Sequence, residues 1–144
     1  MTVTSSFRKY EIAFEVLRHA LAILFLWLGL AKIFDTNIST GIVAKVYPVI
    51  SNDIYLYIIL GIIEICIGLG FLIPRFTTIS GWVTIAHLLI GSVGIFFSGQ
   101  VFSGHFPVLS IYGQVALGNI ALIAACILLI DHEEFLLEVS KSIG

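Results

Sequence analysis

Ile54-Tyr-Leu-Tyr-Ile-Ile-Leu-Gly61-Ile-Ile-Glu64-Ile-Cys-Ile-Gly68-Leu-Gly-Phe-Leu-Ile73 is an unbroken apolar run of twenty residues that contains one charge. At 1.5 Å of rise per residue such a run makes a helix about 30 Å long, which matches the hydrocarbon core of a bilayer. Three more stretches of the same kind follow from this one. One precedes it, from about Val16 to Phe34, and two follow, at about Thr77–Phe97 and Ile111–Ile130. Hydrophobic residues are 59% of the chain and charged residues 11%, too few charges to cover a water-facing surface, so lipid is the main solvent. The expected fold is all-α: one domain over 1–144, an integral membrane four-helix bundle.

The connecting segments add two expectations. Residues 1–15 mix Phe7, Tyr10, Ile12 and Phe14 with Arg8, Lys9, Glu11 and Glu15, the pattern of an N-terminal interfacial helix lying along the membrane before the first span. Segment 35–53 carries Asp35, Asn37, Lys45, Pro48, Asn52 and Asp53, so it cannot cross. Ile38, Ile42, Val46 and Val49 nevertheless fall at helical spacing, which predicts a short interfacial or re-entrant helix after the first span. The loop 98–110 has no Lys, Arg, Asp or Glu and is expected to fold back over the bundle. The basic start of the first span resembles a signal peptide, but no small-residue cleavage site follows, so it reads as a retained helix. With the N-terminus inside, Arg8, Lys9, Arg18, Arg75 and Lys141 are at the inner side and Lys32 and Lys45 at the outer. That bias puts both termini in the cytoplasm.

Each span carries small or polar residues at steps of three and four: Arg18, Ala22, Phe25, Gly29, Lys32; Tyr57, Gly61, Glu64, Gly68, Phe71; Ser80, Thr84, His87, Gly91, Gly94, Ser98; and Gln114, Gly118, Ala121, Ala125. Such spacing places each set on one helix face, and small residues let membrane helices approach closely. All four stripes are therefore expected to turn inward. A charge near the bilayer centre costs about 2.5–3.5 kcal/mol on insertion scales, so it needs a partner or a use. Glu64 lies about ten residues, or about 15 Å, into its span. His87 lies equally deep in the antiparallel third span, so a Glu64–His87 hydrogen bond is geometrically allowed. Lys32 is nearer the outer face with a stem that reaches inward, and Arg18 is near the inner end, where snorkelling to the headgroups is an equal reading. A carboxyl and an imidazole at mid-depth are candidate proton-exchanging groups.

Other residue types narrow the chemistry. Cys66 and Cys126 form no CxxC pair or haem-attachment motif and read as small buried hydrophobes. His19, His87, His105 and His132 lie at unmatched depths, which argues against a haem held by two histidines. No metal-ligand spacing, phosphate loop or nucleophile motif is present, and a net charge of -2 with no basic patch argues against nucleic acid. Trp82 and Tyr112 read as interface anchors, and Trp27 as either a core or a lipid-facing residue.

Taken together, the run from Arg18 through Gly29 to Lys32, the run Gly61-Ile-Ile-Glu64-Ile-Cys-Ile-Gly68, and Gly104-His-Phe-Pro-Val-Leu-Ser-Ile-Tyr-Gly-Gln114 followed by Asn119 resemble the DoxX-like membrane proteins, the last of them their YkgB-type branch. The resemblance spans most of residues 16–131. It implies a four-helix inner-membrane bundle. It also implies a link to quinone, to oxidative stress or sulfur redox chemistry, and to a redox partner protein. Arg18, Lys32 and Glu64 match the family's polar positions; His87 comes from the depth argument alone.

Three functions are compatible with this reading. The first is a quinone-interacting redox subunit, in which Glu64 and His87 act on protons, Arg18 and Lys32 bind the ligand, and a ring enters near Gly29, Gly61 and Gly91. The second is a non-catalytic scaffold or assembly factor whose polar core fixes helix pairing. The third is a small-solute or proton transporter, for which a bundle this thin would need a homo-oligomer to form a pore.

Overall fold

The computed structural model describes residues 3–34, 54–99, 101–102 and 108–143. Four long helices carry the chain: α1 (Val3–Phe34), α2 (Ile54–Leu72), α3 (Thr77–Phe97) and α4 (Ile111–Ile143). Each is long and apolar enough to cross a membrane. The re-entrant helix expected in 35–53, with Lys45, lies outside the described residues, as does His105.

The helices end where local chemistry requires it. Ile73 is extended at φ -105°, ψ 110°, and Pro74 begins a single 3-10 turn, Pro74–Phe76, that leads straight into α3. Proline drives its predecessor out of the helical region, so α2 stops one residue earlier. At the far end of α3, Gly99 takes φ 68°, the left-handed conformation that glycine adopts without penalty after a helix. Its N–H donates to the carbonyl of Phe96 at 3.3 Å. Ser110 caps α4, its Oγ accepting from the Gly113 N–H at 3.1 Å.

The two described pieces of the loop before α4 meet each other, while residues 103–107 lie outside the described residues. Phe102 and Leu109 form an antiparallel bridge, and Ser110 N–H donates to the Val101 carbonyl at 3.0 Å. A β-carbon at Gly113 would collide with that same carbonyl, so glycine is what lets the loop lie on the first turn of α4.

The N-terminal expectation needs correction. Residues 3–34 form one continuous helix of 32 residues, about 48 Å long, and no separate surface helix precedes the span. The stretch from Val3 to Leu28 contains no proline or glycine, so nothing breaks the helix where a surface segment would have to turn into the bilayer.

The helices form a ring in chain order, with α4 returning to touch α1. The larger core cluster joins Leu21, Ala22 and Phe25 of α1, Ile67 and Phe71 of α2, Ile85 and Leu88 of α3, and Cys126, Leu129 and Ile130 of α4. A smaller one, Ile95 and Ala116 with Val101 and Tyr112 against it, lies at the opposite end. Large apolar side chains, among them Ile23, Trp27, Ile59, Ile90 and Leu128, face outward. An apolar exterior around a partly polar interior is what a lipid solvent selects.

The inward stripes expected for α1, α2 and α3 are buried or half-buried. That of α4 is not: Gln114, Gly118 and Ala121 are exposed and Ala125 is half-buried. The inner face of α4 is instead Gly113, Ala116, Cys126, Leu129 and Ile130, with Asn119 half-buried beside it. Larger apolar residues of α4 fill the core here, and the small residue stands opposite them on α3: a β-carbon at Gly81 would lie 2.8 Å from Ile130 Cγ1.

Candidate functional site

Three charged or titratable side chains from three helices meet inside the bundle. Lys32 Nζ donates to Glu64 Oε2 at 2.5 Å, and His87 Nε2 donates to Glu64 Oε1 at 3.1 Å. Glu64 therefore has both oxygens engaged. Side-chain exposure grades outward from it: 5% for Glu64, 14% for Lys32 and 23% for His87. A buried carboxylate is costly unless paired and hydrogen-bonded, and charge-assisted bonds of this kind are the strong ones.

Helix geometry explains how Lys32 reaches mid-depth from the last turn of α1. Side chains on a helix lean toward its N-terminus. Lys32 on α1 and Glu64 on the antiparallel α2 therefore lean toward each other, which closes a gap their backbone heights alone would leave.

Close helix packing closes the rest of that gap. A β-carbon at Gly29 would sit 2.5 Å from the Gly61 carbonyl oxygen, and one at Gly61 would sit 2.9 Å from the Gly29 carbonyl oxygen and 3.1 Å from Lys32 Cβ. One more contact extends the seam: a β-carbon at Gly68 would lie 2.9 Å from the Ala22 carbonyl oxygen. Gly29 and Gly61 thus serve the close helix packing that their spacing predicts, and not the expected ligand contact. Backbone meets backbone there, and no ring fits between α1 and α2 at that level. Gly91 differs, because among the described residues a β-carbon added to it would meet only Asn119 Nδ2, at 3.8 Å. Of the three glycines expected at the ligand, Gly91, one turn from His87, is the one that no described residue crowds.

Arg18 does not join the cluster. It lies fourteen residues before Lys32, about 21 Å along α1. Its guanidinium is buried. Nη1 donates to the Phe71 carbonyl at 3.3 Å, and Nη2 pairs with Glu15 Oε2 at 2.5 Å. That carbonyl belongs to the last turn of α2, where unpaired acceptors and the negative end of the helix dipole favour a cation. Arg18 thus caps the end of α2 and is not a neighbour of Glu64.

The other histidines are elsewhere. His19 is exposed, with Nδ1 2.7 Å from the Glu15 carbonyl oxygen. His132 stacks on Phe14 with ring centroids 3.9 Å apart and planes 5° from parallel. Trp27, 73% exposed, faces outward. Cys66 is exposed on α2, Cys126 is buried on α4, and both are free thiols.

Two features escaped the sequence reading. Asn119 Nδ2 donates to Ser92 Oγ at 3.1 Å, tying α4 to α3 just beyond His87. The signal was present in the steps Ala116, Asn119, Ile123, Cys126, Ile130, but the glycine and alanine stripe beside them was more conspicuous. Thr77 and Thr84 are fully buried, and their Oγ1 atoms have no hydrogen-bond partner among the described residues. Compared with protein-family models, with curated proteins and with solved structures, the chain finds no match.

Proposed function

We propose that this chain is a DoxX-like subunit of the cytoplasmic membrane whose Lys32–Glu64–His87 cluster binds the head group of a quinone and handles its protons. The observation that carries this reading is the graded exposure of the cluster. Glu64 is covered, while Lys32 and His87 are partly open and each retains capacity to bond. Lys32 Nζ has three donors, of which Glu64 uses one among the described residues. With Nε2–H given to Glu64, the Nδ1 of His87 is left as an acceptor. A donor for a carbonyl and an acceptor for a hydroxyl fit a quinone and its reduced form.

A bound quinone would supply two-electron, two-proton redox chemistry. The chain's part would be to orient the head group through Lys32, to accept or return a proton at His87, and to hold both against Glu64. Electrons would come from a redox partner protein. The excess of Lys and Arg at one end supports an orientation with both termini in the cytoplasm.

A second reading has its own observation. Glu64 is fully satisfied by Lys32 and His87, and the Gly29–Gly61 seam already binds α1 to α2, as a purely structural polar tie would require. Mass spectrometry of lipophilic ligands copurifying in mild detergent separates the two. A near-stoichiometric quinone in the wild type, lost in Glu64→Gln, is the expected result. No quinone in either sample, with both proteins folded, would refute the quinone reading in favour of the scaffold.

A further inference from the structure

Helical serine and threonine hydroxyls usually resolve their own burial by donating back to the carbonyl three or four residues earlier. Ser98 does so, to Ile95 at 2.7 Å, and Ser142 does so, to Val139 at 2.8 Å. Thr77 and Thr84 do not, although both are 0% exposed. A buried hydroxyl left without a partner carries a full desolvation cost, and the common remedy is a bound water.

The two threonines are not isolated. Thr77, Ser80, Thr84 and His87 follow one another at steps of three, four and three along α3, and the first three are buried. Neighbours at such steps are about 5–6 Å apart on a helix face. One water with hydrogen bonds of about 2.8 Å on each side spans that distance. Ser80 Oγ lies against Gly70 of α2, where a β-carbon would collide with it, so the file runs in the crevice between α2 and α3 that also holds Glu64. It starts at the turn Pro74–Phe76, where Arg75 is exposed. Beyond His87 the same helix is sealed differently, since Ser92 Oγ is taken by Asn119.

We propose that Thr77, Ser80 and Thr84 hold a file of water molecules that conducts protons between the end of the bundle bearing the Pro74–Phe76 turn and the Glu64–His87 pair. The proton-conducting role rests on reading that pair as a proton-exchanging site. Each transfer breaks one O–H bond as the next forms, so one proton reaches the pair for each proton entering at the turn. The route is one-sided: the bundle exchanges protons with the aqueous phase on the side where both described helix ends, that of Val3 and that of Ile143, emerge.

The test is hydrogen–deuterium exchange at the imidazole C2 position, read by mass spectrometry on the full chain in phospholipid nanodiscs. It requires water at the ring and needs no quinone. His87 is expected to exchange in the wild type and about tenfold more slowly in Thr84→Val, which keeps the shape of the side chain and removes the one net hydrogen bond that retains the water. Thr84→Ser should restore the wild-type rate, and exposed His19 should exchange alike in all three. Equal rates at His87 in the wild type and in Thr84→Val, or no exchange at His87 in the wild type, would overturn the water file. A missing quinone with Thr84-dependent exchange would overturn the ligand reading alone; a bound quinone with Thr84-independent exchange would overturn the file alone.

Discussion

Gly29→Ala is a one-carbon change whose consequence can be worked out from the seam. The new β-carbon would be 2.5 Å from the Gly61 carbonyl oxygen, 2.7 Å from Ile65 Cγ1 and 2.9 Å from Ile65 N. Two of these three are backbone atoms, so no side-chain rotation relieves them. Ordinary contact begins at 3.4 Å, so α1 and α2 must part by about 0.9 Å. Overpacking of this kind costs about 1–3 kcal/mol. The same movement stretches the 2.5 Å bond from Lys32 to Glu64 toward the limit of hydrogen bonding, and a bond between charged groups contributes about 1.5–3 kcal/mol. The two terms overlap, so the expected loss is about 3–4 kcal/mol. Gly118→Ala is the internal control. Among the described residues nothing lies within 4 Å of a β-carbon there, so it should stabilise by about 0.5–1 kcal/mol through helix propensity. Unfolding in mixed micelles of increasing dodecyl sulfate content, followed by circular dichroism, measures both. Equal stability of Gly29→Ala and wild type would refute the close seam and the account of how Lys32 reaches Glu64.

Further predictions concern the charges and caps. Glu64→Gln and Lys32→Met should each cost about 3–5 kcal/mol by leaving a buried charge without its partner, while the double variant should lose much less than their sum in a double-mutant cycle. Arg18→Ala should cost about 1–2 kcal/mol in the same unfolding assay through loss of the hydrogen bond to Phe71 and of the buried stem; unchanged stability would remove the capping role. Ser110→Ala should cost about 1 kcal/mol and raise amide hydrogen exchange in the first turn of α4, with α2 amides unaffected.

Much of the architecture was legible in the sequence, because a bilayer leaves few choices. Apolar runs of bilayer length must be helices, and charged residues within them must avoid lipid. Arg18, Gly29, Glu64 and Thr84 were therefore placed on the correct faces. The meeting of Glu64 with His87 was readable because antiparallel neighbours at equal depth are brought level. Two things resisted. The rotation of α4 was misjudged because Gly118 and Ala121 look like packing residues, whereas Cys126, Leu129 and Ile130 do the packing. Sequence spacing also gives faces and not neighbours, so it could not show that Gly29 meets Gly61 directly or that Arg18 of α1 bonds to the last turn of α2. The unpartnered hydroxyls of Thr77 and Thr84 had no sequence signature, since back-bonded and unbonded threonines read alike.

The order in which the cluster's members occur along the chain bears on biosynthesis. A ribosome completes α1, with Lys32 near its end, before Glu64 emerges. When the second span leaves the translocon, its acid carries an insertion cost of about 2.5–3.5 kcal/mol if unpaired, but its counter-charge is already waiting in the membrane on the preceding helix. His87 arrives last, on the other side of a three-residue turn. The chain thus delivers Glu64, and after it His87, to a partner already in place, and α1 serves the second helix as an insertion template before it serves the folded bundle.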